Sequence, residues 1–373
     1  MPEATNTWRA VLHVLTIAAA LYLMSVFALS QPQQLDEGRN DFLPFYAGSH
    51  LLSSGELYDN AKLLKTEAQL TGFVSETHGY MRPPFLAALV WPLSRLPYRT
   101  AWRVWQAASL AALIGFVLLW APDRRLFTLL LTAISIPALL AWLAGQDVFF
   151  LLLAIALSVH LHRAGKPIAA GAVFALCAAK VHLFLLTPVW VIALGDWSFL
   201  KGQLYGGGAL AGLSTAAAGW RWPLEMWRET RNSAFSPSLG NMPNLHGMLE
   251  SLPLAWAWEM LLSAAVVWAV WTIARRSSFQ TALAAGLLGG ILLARHSYVL
   301  DLTLLIPAML VLLQTTRRAA LRICAAALLA PPLLFLAIQG LPYSAAVVLI
   351  CWVALIGWAL EFRGEPRFAG TPA

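Results

Sequence analysis

Apolar runs of bilayer length recur along almost the whole chain, and no other feature narrows its fold as much. Crossing the hydrocarbon core takes roughly 17–25 mostly apolar residues. The first such run covers 11–29. Others cover about 100–120, 126–144, 147–162, 167–180, 181–197, 203–220, 254–274, 279–294, 298–316, 319–338 and 342–360. These predict an all-α, polytopic membrane protein of about twelve transmembrane helices, forming a single membrane domain over 1–373 with both termini cytoplasmic. Ala28-Leu29-Ser30 has the small-residue look of a signal-cleavage site. The apolar run before it is long for a signal peptide, so it reads as an uncleaved anchor.

Composition agrees. Charged residues make up 12% of the 373, about half the share of a soluble domain. That excludes an ordinary soluble enzyme, a nucleic-acid binder and a disordered scaffold. The excess of 25 Lys and Arg over 18 Asp and Glu, a net charge of +7, then reads as loop bias. Arg124-Arg125, Arg163 with Lys166, Lys201, Arg275-Arg276, Arg317-Arg318, Arg322 and Arg363 fall in alternate loops, as the positive-inside rule requires. The segment 84–96 is apolar but short, with Arg95, Arg99 and Arg103 at helical spacing at its end; it is expected to be a re-entrant or interfacial helix, since a crossing there would flip the parity of every later loop. Cys177, Cys324 and Cys351 lie inside apolar runs without disulfide or zinc spacing. Gly208-x-x-x-Gly212 and Gly286-x-x-x-Gly290 are expected to permit close helix approach.

Two long stretches are not membrane-like: 31–84, and 221–253 with its Trp, Arg, Asn and Pro. On this topology both lie on the outer face. In the first, Phe42, Phe45, Tyr46, Ser49 and Leu52 share a helical face, and a second helix is expected over 60–70. Both helices are expected to lie amphipathically on the membrane surface. Asp41 and Asp59 each stand just before one of them, where an Asp serves as N-cap. Trp220, Trp222 and Trp227 fit an interfacial aromatic belt, with stacking on a ligand as the other option.

Asp41-Phe-x-x-Phe-Tyr46, Gly55-Glu-Leu-Tyr58, Tyr80-Met-Arg-Pro-Pro-Phe85 and Pro92-Leu-x-x-Leu-Pro97 resemble, in order and spacing, the opening of glycosyltransferase family 87. That family includes polyprenyl-phosphate-mannose-dependent mannosyltransferases. Gly145-Gln146 is similar to the start of its Gly-Gln-x-Asn motif, and Asp147-Val148 departs from it. Lys180, Asn244-Leu-His246-Gly247 and His296-Ser-Tyr298-x-x-Asp301 resemble later family motifs.

The resemblance implies a GT-C-like fold with a catalytic acid in the first outer loop, at Asp41. It also implies hexosyl transfer with inversion from a polyprenyl-phosphate sugar to an envelope glycolipid or glycan acceptor, at the outer face of the plasma membrane. Such transfer needs a general base for the acceptor hydroxyl, worth typically about 10²–10⁴-fold, and cations for the departing phosphate. Lys180, Arg82, His296 and Arg295 are the phosphate candidates. Gln146, Asn244, Tyr80 and His246 are the candidates for sugar or acceptor binding. The bland alternatives are snorkelling for Lys180, anchoring of a turn for Arg82, and backbone satisfaction for Gln146. Asp301 is expected to pair with His296 or Arg295, without a catalytic role. No metal, cofactor or nucleic acid is expected. A transporter or flippase of lipid-linked sugars is the alternative from another class, and an assembly partner in an envelope complex is a third.

Overall fold

A computed structural model of the chain describes residues 28–74, 79–231 and 239–363, together with 14, 18, 22, 25 and 26. The expected span over 11–29 lies almost wholly outside the described residues. Among them, all regular structure is helical. The main helices are α1 Phe42–His50, α2 Asn60–Thr71, α3 Pro84–Val90, α4 Tyr98–Trp120, α5 Arg125–Ala133, α6 Ile136–Leu143 and α7 Val148–Arg163. There follow α8 Pro167–Phe184, α9 Thr187–Leu194, α10 Trp197–Ala218, α11 Trp222–Glu229, α12 Leu245–Leu249, α13 Ala255–Ala274, α14 Phe279–Leu293 and α15 Val299–Thr315. The last are α16 Ala319–Leu329, α17 Pro331–Ala337 and α18 Tyr343–Arg363.

Of the roughly twelve expected spans, four stand as single helices long and apolar enough to cross a bilayer: α4, α8, α13 and α18. Two bent pairs, α5 with α6 at 69° and α16 with α17 at 60°, raise the number to six. α7, α14 and α15 are apolar but shorter. Proline accounts for both bends. Pro331 opens α17, and Ala330 before it is extended, as proline demands of its neighbour. Pro137 is the second residue of α6, after the extended cap Ser135, and lacks the amide that would continue the ladder from α5. Apolar runs that look continuous in sequence are thereby cut into pieces.

α14 is buried over nearly its whole length. A helix apolar on every face belongs inside a bundle, and α13, α15 and α18 surround it. Gly286 and Gly290 make this possible: a Cβ there would lie 2.4 Å from the Trp190 ring and 2.1 Å from the Leu183 carbonyl. Gly208 and Gly212, in contrast, face open space. Close approach on α10 is made instead by Gly202, where a Cβ would lie 2.0 Å from the Ile168 carbonyl of α8.

One end of the bundle is tied by polar contacts between helix ends. His162 Nε2 lies 2.6 Å from Asp196 Oδ2, Arg276 donates to the Phe362 carbonyl at 3.0 Å, and Thr316 donates to Glu361 at 2.6 Å. Arg163 bonds Gln280 at the same end. The opposite end opens into a large cavity.

The segment 84–96 starts and finishes at the cavity end. Arg82 lines the cavity, and Leu96 accepts from Tyr46 at 2.7 Å. Between them lie only seven α-helical and five 3₁₀ residues, about 20 Å against a hydrocarbon core of about 30 Å. Ser214 of α10 satisfies the first amide of this dip, accepting from Phe85 N at 3.1 Å.

α1 does not lie on a surface. Phe42 to Ser49 are all buried, beneath α2, α3 and the 3₁₀ turn over Trp91–Arg95. Leu43 and Ala47, off the face read from sequence, make the helix apolar all round. α2 buries only Leu63 and Glu67 and is the amphipathic one.

Candidate active site

The cavity has a volume of about 780 Å³. Three breaks in helical structure supply its polar wall: the turn 144–147 before α7, the kink at Lys180 within α8, and the turn 294–298 between α14 and α15.

The start of α1 is pinned to the first break. Asp41 N donates to the Ala144 carbonyl at 2.9 Å. Asn40 makes the local turn, its Oδ1 accepting from Phe42 N at 3.0 Å and its Nδ2 donating to the Leu143 carbonyl at 3.0 Å. Asp41 makes no side-chain capping bond. Its carboxylate lines the cavity and accepts from Gln146 Nε2. Asp59, by comparison, is an ordinary cap, accepting from Lys62 N at 3.1 Å. The capping account thus holds for Asp59 and fails for Asp41.

Gly145 allows the two segments to meet. It sits at φ +68°, and a Cβ would lie 2.7 Å from Trp102 and 2.9 Å from the Phe42 Cβ. Trp105 Nε1 donates to its carbonyl at 2.9 Å.

From Gln146 a chain of polar contacts crosses the floor. Gln146 Oε1 accepts from Arg82 Nη2 at 3.3 Å, and Arg82 Nε donates to Asp147 Oδ2 at 3.1 Å. Lys180 Nζ stands 3.5 Å from Asp147 Oδ1 and 2.6 Å from Asp301 Oδ1. Asp301 Oδ2 accepts from Tyr298 N at 2.9 Å. The side chains of Lys180, Asp147 and Asp301 are only 2–3% exposed. Burial works against the Arg82 charge, but the Asp147 carboxylate outweighs it and holds the guanidinium above its ordinary pKa.

Arg82 and Lys180 therefore form a neutral quartet with Asp147 and Asp301. Asp301 pairs with Lys180, not with His296 or Arg295 as the sequence led us to expect. The departure at Asp147 supplies the carboxylate between the two cations. Arg295 also lines the cavity, is exposed, and makes no ion pair or hydrogen bond among the described residues. His296 lies beside it, its Nε2 3.1 Å from the Tyr298 hydroxyl. Burial, with Arg82 and Lys180 nearby, pushes its imidazole below the ordinary value against the pull of Asp301. His182 completes this wall, its ring 6.5 Å from that of His296.

Six of the residues singled out from sequence thus share one cavity: Asp41, Arg82, Gln146, Lys180, Arg295 and His296. The other three do not line it. Tyr80 is buried behind it, its hydroxyl 3.4 Å from the Pro83 carbonyl. Asn244 caps α12 through Gly247 N at 2.8 Å and donates to Ser297 Oγ at 3.0 Å, fastening the turn that carries His296. His246 faces Glu259 at 3.0 Å. Asp147 and His182 were not singled out from sequence. Each lies within two residues of a candidate, which was the available signal. Trp222 and Trp227 line the cavity, while Trp220 does not.

The sequence profile of glycosyltransferase family 87 matches residues 80–296, more than half of the chain. The chain belongs to glycosyltransferase family 87. No curated protein and no solved structure shows significant similarity to it. Membership makes this family 87 protein a glycosyltransferase, acting on a sugar donor and an acceptor in a membrane setting. The matched region holds Arg82, Gln146, Asp147, Lys180, Arg295 and His296. Asp41 lies before it, so its place in the site rests on geometry.

Proposed function

We propose that this cavity transfers a hexose from a polyprenyl-phosphate donor to a lipid or glycan acceptor, with inversion at the anomeric carbon and Asp41 as general base. The observation that carries the reading is Asp41 itself. Relieved of capping by Asn40, its carboxylate is held at the cavity by Gln146. The acceptor hydroxyl gives its proton to Asp41 as its oxygen bonds to the anomeric carbon. The bond from that carbon to the phosphate oxygen breaks, and its electron pair leaves on the phosphate.

The stabilisers are of two kinds. Arg295 supplies a cation not already spent on a carboxylate, and guanidinium–phosphate bonds are strong and directional. His296, favoured neutral by burial, supplies a hydrogen bond. Arg82 and Lys180 act through the quartet, holding Gln146 and the turn at Tyr298 in place. This revises the roles expected from sequence, where Lys180 was the leading phosphate partner. The apolar part of the wall, with Val181 and Trp227 half-exposed at its rim, offers a lateral path for a lipid tail.

The basic residues read from sequence as inner loops, Arg163, Arg275-Arg276, Arg317-Arg318 and Arg363 among them, lie at the tied end. The positive-inside rule then puts the tied end in the cytoplasm and the cavity on the outer face. A GT-C-like fold of about twelve crossings belongs to this proposal; four helices, or six with the bent pairs, are long and apolar enough to cross a bilayer among the described residues.

The test is Asp41→Asn in purified protein reconstituted in lipid, supplied with radiolabelled polyprenyl-phosphate sugars and extracted lipid acceptors. The expected result is a loss of turnover of about 10²–10⁴-fold with unaltered thermal stability. Undiminished transfer removes Asp41 as the base.

A further inference from the structure

A second cavity, about 390 Å³, lies at the tied end of the bundle, between the last turns of α13 and α18. Its lining is Trp268, Trp271, Thr272, Arg275, Arg276 and Arg363. Three arginines from two helices thus meet in one hollow with no carboxylate among them. None of the three makes an ion pair among the described residues. Among the described residues the acidic residue nearest in sequence to Arg363, Glu361, is turned away, accepting from Thr316 at 2.6 Å and Arg317 N at 2.8 Å.

Arg276 is fixed by donating to the Phe362 and Arg363 carbonyls, which joins the two helices. The Arg275 guanidinium stands 5.7 Å over the Trp271 ring. Helix C-termini attract cations by themselves, and basic residues gather at inner span ends. Neither effect asks arginines of two helices to line one cavity.

Its level and flank say what it takes. α13 and α18 are both long and apolar enough to cross a bilayer, and both end here, so the arginines stand at headgroup depth. Trp268 and Trp271 are exposed on α13, most of which is unburied. A ligand on the arginines therefore continues along an apolar, lipid-facing surface. We propose that this cavity binds the phosphate headgroup of an anionic membrane lipid, with its chains along Trp268 and Trp271. Basic pockets between spans on the cytoplasmic side are suited to such headgroups.

Native mass spectrometry of the full-length protein, titrated with phosphatidylglycerol or phosphatidylcholine, tests this. Phosphatidylglycerol should be retained selectively. Arg275→Gln with Arg363→Gln should weaken retention roughly 25-fold, about fivefold for each arginine at a membrane surface. Arg276 is kept because it joins the helices. Equal retention by both proteins overturns the proposal. Displacement of the lipid by millimolar inorganic phosphate also overturns it, assigning the site to a free anion. If the double variant fails to fold, fluorescence quenching by phosphatidylglycerol brominated near the headgroup decides. The wild-type protein should be quenched more than Trp268→Phe with Trp271→Phe, and brominated phosphatidylcholine should not separate the two. An equal response to both lipids refutes the site.

Discussion

Lys180→Met is the most informative perturbation of the site, because it separates a phosphate-binding lysine from one that holds the site together. Methionine keeps the length and apolar stem and removes the charge. Asp301, 2.6 Å away and shielded from solvent, is then left without its cation. Removing one partner of a buried pair costs about 3–5 kcal/mol. The cost has a ceiling, because the orphaned carboxyl can take a proton. For a group of ordinary pKa near 3.9, that costs about 4 kcal/mol at pH 7 and about 1.5 kcal/mol at pH 5, at 1.36 kcal/mol per pH unit. The folded variant then binds a proton that its unfolded chain does not, so its stability falls as pH rises. The expected destabilisation relative to wild type is therefore about 4 kcal/mol at pH 7, shrinking to about 1.5 kcal/mol at pH 5. Lys180→Met with Asp301→Asn should recover most of it, since Asn can still accept from Tyr298 N. Unfolding by SDS titration in mixed micelles, at both pH values, gives the numbers. If Lys180→Met is as stable as wild type at pH 7 yet loses donor affinity, the quartet is not structural and Lys180 binds phosphate directly.

Arg295→Gln should lower kcat/KM for the donor roughly tenfold to hundredfold, as loss of one charged hydrogen bond predicts, without altering the unfolding midpoint. A midpoint change of several degrees would give Arg295 a structural role. Gly145→Ala forces a side chain into the left-handed region, at about 1–2 kcal/mol, and against Trp102 and Phe42. Turnover should fall far more than stability, because the clash displaces Asp41 and Gln146 together; parallel losses would refute this. His296 has its pKa lowered by burial, so its contribution is complete above about pH 6.5 and is lost as pH falls toward the folded value. Thermal midpoints at pH 7 and pH 5 should therefore differ less in His296→Gln than in wild type, and an equal difference removes His296 as the acid-sensitive group.

How far the sequence carries can be judged residue by residue. Apolar runs and basic loops identify a helical membrane protein, because hydropathy acts through composition over about twenty residues. They overstate the regular helices, because the bends at Pro137 and Pro331 leave hydropathy unchanged. The burial of α1 was illegible for a related reason. Period counting marks one apolar face, while residues off that face decide whether the helix lies on a surface or inside. At the site, motif order marked Asp41, Arg82, Gln146, Lys180 and His296, which share the cavity with Arg295, a candidate only as the cation beside His296. The same motifs contain Tyr80 and Asn244, which brace it from behind. A motif records that a position is constrained and does not distinguish touching a ligand from holding the residue that does. Asp147 shows the converse: read as a departure, it stands between the two cations. Its partners are 65 and 33 positions away in the chain, beyond the reach of local pattern.

The polar side chains of this site all stand where helices break, and the reason is physical. A continuous helix satisfies its own backbone and needs no water, so it can present apolar side chains to lipid. At a break, amides and carbonyls lose their partners. Some find side chains, as at Asn40 and Trp105; the rest require a wet cavity. At Lys180 the chain leaves helical geometry altogether, at φ −128° and ψ 57°, beside the cavity its side chain helps to floor. A break without a polar cluster would be costly in a bilayer, and so would a polar cluster without a break to admit water. Each makes the other tolerable, and the lipid-linked donor proposed above would find charge, hydrogen bonds and an apolar rim at that one depth.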